Sequence, residues 1–158
     1  MTSPEHAPAE WFRPAWASRV LPLLPLLPLL AAAVWVNLYN PTDQVEDPTG
    51  PCTWHAMFGV NGPTCGGTRA FYYLLHGHVV EAARFHLPAV LAAPVLVYFW
   101  LRWAVKRGLG RRLPALTVPR WLWVTYLVFF LVFTTVLRNL DFAPFAWFDI
   151  PNLAAPAR

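Results

Sequence analysis

Serine and lysine are nearly missing from this chain: Ser3, Ser18 and Lys106 are the only examples among 158 residues. No Ser-His-Asp or Ser-Lys constellation can therefore be assembled in its central segment, which removes the usual routes to an activated hydroxyl nucleophile. Charge of either sign is scarce too, at 13% of residues, where a soluble domain carries roughly a quarter. The glycines form no nucleotide-type phosphate loop. Cysteine is limited to Cys52 and Cys65, and neither has a second cysteine three positions away, so a Cys-x-x-Cys redox turn is absent.

Apolar length takes the place of those groups. Apolar residues make up 57% of the chain, and three uncharged runs occupy 20–36, 87–101 and 121–137. With their flanking Trp and Tyr, each approaches the roughly 17 to 25 residues that a membrane-spanning helix requires. No soluble sequence of comparable size is present to bury all three. The reading is an all-α membrane protein, a single integral membrane domain over 1–158, with transmembrane helices at about 20–39, 86–105 and 121–138. An outer cap at 40–85 and a basic inner loop at 106–120 complete it. A cleaved signal peptide is the alternative for the first run, since Arg13 and Arg19 precede it and Ala31-Ala32-Ala33 supplies small residues for cleavage. Its apolar stretch nevertheless continues to Tyr39, longer than a signal core, which favours a retained helix. Pro22, Pro25 and Pro28 recur every three residues, so the regular helix is expected to begin late or to bend near Pro28.

The basic residues orient the spans. Arg102, Lys106, Arg107, Arg111, Arg112 and Arg120 lie in the second connection with no acid among them, which assigns that connection to the cytoplasmic side, together with the amino terminus and its Arg13 and Arg19. The first connection and the tail then face outward, carrying Asp43, Glu46, Asp47, Glu81, Asp141 and Asp149 against Arg69, Arg84, Arg138 and Arg158. A net charge of +4 does not imply nucleic-acid binding, because half the basic residues sit in one juxtamembrane loop without aromatics spaced for bases. Membrane lipid with an anionic headgroup is the expected counterpart, at around 1 kcal/mol per nearby basic side chain.

The connection 40–85 is where a function would have to reside. Residues 40–51 are polar and irregular, 54–60 short and aromatic, and Gly62-Pro63-Thr64-Cys65-Gly66-Gly67-Thr68-Arg69-Ala70 forms a Gly-rich turn. Thr68 suits an N-cap, Ala70, Phe71, Leu74 and Leu75 recur at helical spacing, and Gly77 suits the left-handed position after the helix end. A second short helix at 79–85 exposes Glu81 and Arg84, and Pro88 suits the first turn of the next span. Two short interfacial helices are therefore expected in the outward connection.

Cys65-Gly66-Gly67-Thr68-Arg69-Ala70, then Leu74-Leu75-His76-Gly77 with Ala82 behind it, Pro88, and Arg138-Asn139-Leu140 after the last span resemble the small bacterial membrane proteins grouped as domain of unknown function 2752. Their pattern, Cys-Pro-x-Cys-Gly-x-Thr-Arg-Ala followed by Leu-x-x-Gly-Asp and an Asn before the next span, covers about 52–94 here. The resemblance implies a membrane setting and no activity. Gly62 stands where the family has its first cysteine, His78 where it has Asp and His86 where it has Asn. Asp and Asn at those places suit helix N-caps, so their replacement by His points to a structural role there.

For Cys52 and Cys65, both on the outward side, a disulfide is the first reading, worth roughly 3 kcal/mol; a reactive Cys65 thiol ahead of a helix N-terminus is the lesser one. Metal binding is the sharper alternative. Cys52, His55, Cys65, His76, His78 and His86 crowd into one segment, and Cys52-x-x-His55 has ligand-like spacing for zinc or copper, in competition with the disulfide for the same sulfurs. Arg69 opposes the dipole of the helix it begins and calls for a negative neighbour. Asp43, Glu46, Asp47 or Asp141 would supply one as an ion pair. Alternatively Gly66, Gly67, Thr68 and Arg69, joined by Arg138, form an anion nest for a lipid phosphate or a partner's carboxylate. Phe142, Pro144, Phe145, Trp147 and Phe148 read as an interfacial aromatic anchor or as packing on the aromatics of the cap. Together these features point to a non-enzymatic accessory or interaction protein without a cofactor, bound to another membrane protein or to a second copy of itself. The alternative is an outward metal-binding or thiol redox protein.

Overall fold

The computed structural model describes residues 20–42 and 52–150. Arg13, Arg19, Asp43, Glu46, Asp47 and Arg158, which entered the charge reading, lie outside them. Every regular element among the described residues is helical. Proline sets the start of the first span: Pro22 opens a 3-10 turn, Leu21–Leu23, and helix α1, Leu26–Leu38, begins only after Pro25. Pro28 falls in the first turn of α1, where its missing N–H would have had no partner. The 13 regular residues give about 20 Å of helix, extended at its start by the 3-10 turn.

Helix α2, Thr53–Phe58, follows Cys52 and ends at left-handed Gly59, whose N–H donates to the His55 carbonyl at 2.8 Å. Helix α3, Gly67–Leu75, starts two residues earlier than it would from the Thr68 N-cap expected from sequence. Gly66, at φ 78°, is its cap, and Ala70 N–H donates to Gly66 O at 2.9 Å. Glycine's freedom at positive φ lets the turn feed the helix directly, so the Thr68 hydroxyl has no capping role. The other end behaves as expected: Gly77 is left-handed, its N–H meets Leu74 O at 3.2 Å, and His78 N–H meets Tyr73 O at 2.9 Å. These two bonds are the paired closure of a Schellman motif.

The short helix expected at 79–85 and the second span are one element, α4, Val79–Leu109, bent at His86, where φ is −158° and ψ is 72°. Pro88 has no N–H to return to Arg84 O, and its ring crowds that carbonyl, so the helix opens just before it. His86 recaps the next segment, with Nδ1 accepting the Ala89 N–H at 3.2 Å. Helix α5, Arg120–Thr135, leads through a 3-10 turn, Leu137–Asn139, into the tail and its turn Phe145–Phe148. The runs Leu21–Leu38, Val79–Leu109 and Arg120–Asn139 are each long and apolar enough to cross a membrane.

The core lies at one end of these spans. Val36, Cys65, Ala70, Ala82 and Phe133 are buried there with Arg69, His86, Thr134 and Arg138, while leucines and valines along the helices stay broadly exposed, as suits surfaces solvated by lipid. α3 packs on α1 and on α4. Phe148 sets its edge against Phe133 of α5 at 4.9 Å, and Arg84 Nε donates to Trp147 O at 3.0 Å. The tail thus packs partly on a span rather than on the aromatics of the cap, while Phe142 and Trp147 remain exposed.

Gly66→Ala should be destabilising, because a Cβ there would crowd the Phe85 carbonyl and Ile150 in addition to adopting positive φ. A loss of at least about 1–2 kcal/mol is expected from the backbone conformation alone. Gly67→Ala, with open space around its Cβ, should stay within about 0.5 kcal/mol. Thermal unfolding of both variants in detergent, followed by circular dichroism, checks the contrast.

Candidate functional site at the junction of loop and spans

Cys52 and Cys65 form a disulfide with their Cα atoms 5.6 Å apart. At a separation of 13 residues the closed loop is worth about 3 kcal/mol. Gly62, where the resembling family has a cysteine, lies under the Trp54 indole, and a Cβ at this position would collide with the ring. The aromatic side chain of α2 thereby occupies the volume that any side chain at 62 would need.

The turn's backbone is irregular, yet all six carbonyls from Asn61 to Gly66 accept a hydrogen bond. Within the chain's own turns, Gly62 O takes the Cys65 N–H at 3.1 Å, Thr64 O the Gly67 N–H at 3.3 Å, and Gly66 O the Ala70 N–H. The remaining three are served from the spans. Asn139 Nδ2 donates to Asn61 O at 2.9 Å, His86 Nε2 donates to Pro63 O at 2.9 Å, and Arg138 Nη1 donates to Cys65 O at 3.0 Å. Asn139 Oδ1 also accepts the Asn61 N–H at 2.7 Å, so one side-chain amide pairs with both backbone groups of a single residue. The Asn61 side chain in turn donates to Asp149 Oδ1 at 3.0 Å. Backbone polar groups near a membrane require such partners, because an unpaired one costs several kcal/mol in hydrocarbon.

Two of these donors have further constraints. A carbonyl can only accept and a backbone N–H can only donate, so the bonds of His86 to Pro63 O and from Ala89 N–H select the neutral tautomer with its proton on Nε2. Because Ala89 N–H turns to the His86 ring, Phe85 O is left without its helical donor, and Arg138 Nη2 supplies one at 3.1 Å. Arg138 is 1% exposed, and its Nε has no hydrogen-bond partner among the described residues. Asp149 provides the favourable opposing charge.

The five residues read as an anion nest are thus brought to one place. Gly67 N–H is taken by Thr64 O, Thr68 is exposed in the first turn of α3, and Ile150 and Phe85 O crowd the space over Gly66. Arg69, itself buried, donates from Nε to Pro41 O at 3.0 Å, with its guanidinium 5.8 Å from the centre of the Phe85 ring. Arg84 lies at a similar distance, 5.9 Å, from the same ring, so Phe85 carries two arginines against its ring and Arg138 on its carbonyl.

The candidate metal ligands are differently placed. The sulfurs of Cys52 and Cys65 are joined to each other, His76 Nδ1 engages Tyr72 O at 2.8 Å, His78 precedes α4 without a capping bond, and His55 Nδ1 is buried without a hydrogen-bond partner among the described residues. No group of three or more His, Cys, Asp or Glu among the described residues is arranged to hold a metal ion. Sequence reasoning passed over Asn61 and Pro41 and did not foresee that Arg138 and Asn139 act on backbone; the adjacent Arg and Asn closing an apolar run were the available signal.

Arg138→Lys keeps the charge but loses the planar fork that bridges Cys65 O and Phe85 O. A loss of about 2–3 kcal/mol is expected, seen as a lower unfolding midpoint in detergent; an unchanged midpoint would mean that the bridge does not hold the loop.

The family model described as protein of unknown function (DUF2752) matches residues 52–100. No curated protein matches, and no solved structure does. From Cys52, through the turn and the His86 bend, into the second span, this chain resembles that family.

Proposed function

We propose that the chain is a non-enzymatic integral membrane protein that presents its disulfide-tied loop to another membrane protein, as an accessory or interaction subunit. The observation that carries this reading is the use made of the polar residues. Arg138, Asn139 and His86 all hold loop backbone, leaving them committed to a shape rather than poised over a cavity. Around that shape lie exposed apolar groups, including Met57 and Phe58 on α2 at 70% and 58% exposure. In this reading Gly66, Gly67, Thr68, Arg69 and Arg138 set the form of the presented surface.

The loop end faces outward and the basic connection faces the cytoplasm. Two independent features at opposite ends support that orientation: a disulfide, which persists in oxidising compartments, and Arg102, Lys106, Arg107, Arg111, Arg112 and Arg120, which favour the inner side. Membrane-impermeant thiol reagent should label a cysteine placed at Leu116 only after the membrane is opened; labelling of intact cells would invert the topology.

Affinity purification from native membranes in mild detergent tests the role. A membrane protein, or a second copy of this chain, should co-purify in stoichiometric amount and be reduced severalfold by Met57→Ser with Phe58→Ser. A chain recovered alone and monomeric under those conditions would count against an accessory role.

A further inference from the structure

We infer that the Cys52–Cys65 disulfide is a polarised thiol–disulfide exchange site, at which an external dithiol attacks Cys52 and Cys65 departs as the thiolate. The two sulfurs stand in unlike surroundings. Cys65 is 2% exposed, whereas Cys52 is only half-buried and its Sγ lies 4.0 Å from the hydroxyl of exposed Thr64. Exchange requires approach to the sulfur under attack, so access selects Cys52.

The departing side is equipped for charge. Gly62 N–H donates to Cys65 Sγ at 3.2 Å in a buried setting. The Cys65 carbonyl carries the Arg138 guanidinium at 3.0 Å, and the residue stands immediately before Gly66, the cap of α3. A hydrogen bond to sulfur, a nearby cation and a helix N-terminus each favour thiolate over thiol, and a more acidic thiol leaves faster. In the first step a thiolate of the dithiol forms a bond to Cys52 Sγ, the Cys52–Cys65 bond breaks, and its electron pair remains on Cys65 Sγ. In the second, the dithiol's other thiolate closes its own disulfide and releases Cys52 as a thiolate. The dithiol is oxidised by two electrons and the protein pair is reduced by two; water supplies protons to whichever thiolates take them up.

The consequence is unequal release. The Cys65 side stays fixed through Asn139, His86 and Arg138, whereas α2, on the Cys52 side, loses its covalent tie. The inference stands apart from the partner reading, since a chain that purifies alone would still exchange.

The test uses the air-oxidised full chain in detergent, titrated with reduced glutathione as a monothiol probe, quenched by acid, alkylated and mapped by peptide mass spectrometry. Glutathione should be found on Cys52 with about tenfold or greater preference over Cys65. In Cys52→Ser, the Cys65 thiolate, followed by its ultraviolet absorbance, should form about one pH unit or more below that of the same variant in denaturant. Glutathione shared evenly or placed on Cys65, ionisation no earlier than in the denatured chain, or two free thiols in the air-oxidised protein would each overturn the inference. If Cys52→Ser fails to fold, the mapping of the unsubstituted chain decides alone.

Discussion

Arg138 brings a guanidinium to the end of an apolar helix and is 1% exposed there, so it must be satisfied by what folds over it. Burial of such a group is costly unless hydrogen bonds and opposing charge replace the water. Two carbonyls meet that requirement, from elements 53 and 73 residues away in sequence. The loop turn supplies Cys65 O and the bend in α4 supplies Phe85 O. Both are available because their local chain is irregular: regular helix through 85–89 would have given Phe85 O to Ala89 N–H. The bend and the buried arginine therefore depend on each other.

The same logic extends along the turn. Six consecutive carbonyls from Asn61 to Gly66 find donors, three from the turn and α3 and three from side chains at or near span ends. Irregular backbone close to a bilayer is tolerated where protein covers it and pairs its polar groups. The disulfide contributes a constraint of another kind, chiefly limiting the unfolded loop. It cannot replace the hydrogen bonds, because it does nothing for a bare carbonyl. Trp54 over Gly62 adds the remaining contact, closing α2 onto the turn without a side chain at position 62.

Features governed by neighbouring residues were legible in the sequence. The three apolar runs, the late start forced by Pro22 and Pro25, the Gly77 closure of α3 and the cysteine pairing all follow from composition or from contacts within a few residues. The displaced N-cap was not legible, because Thr68 is a good cap residue by propensity, and only the left-handed Gly66 makes it unnecessary. The merging of 79–85 with the second span was hidden for a related reason. Proline announces a break, but whether the two pieces stay collinear enough to form one bent helix depends on the His86 ring taking the Ala89 N–H. The roles of Arg138 and Asn139 were the least legible, since a terminal arginine on a span ordinarily reads as snorkelling, and the carbonyls that engage it lie far away in the chain.

The unequal fastening of the two halves of the loop bears on where variation in function can reside. On the Cys65 side, backbone is held by three span side chains, so movement there would expose carbonyls and the charge of Arg138 together. On the Cys52 side the described contacts are the disulfide, the Trp54 ring and the distant approach of Cys52 Sγ to Thr64. Local opening follows the path with fewest buried groups to uncover, which makes α2 the element able to move while the junction stays intact. Its exposed Met57 and Phe58 are therefore carried on a helix that the disulfide and the Trp54 ring fasten to the turn.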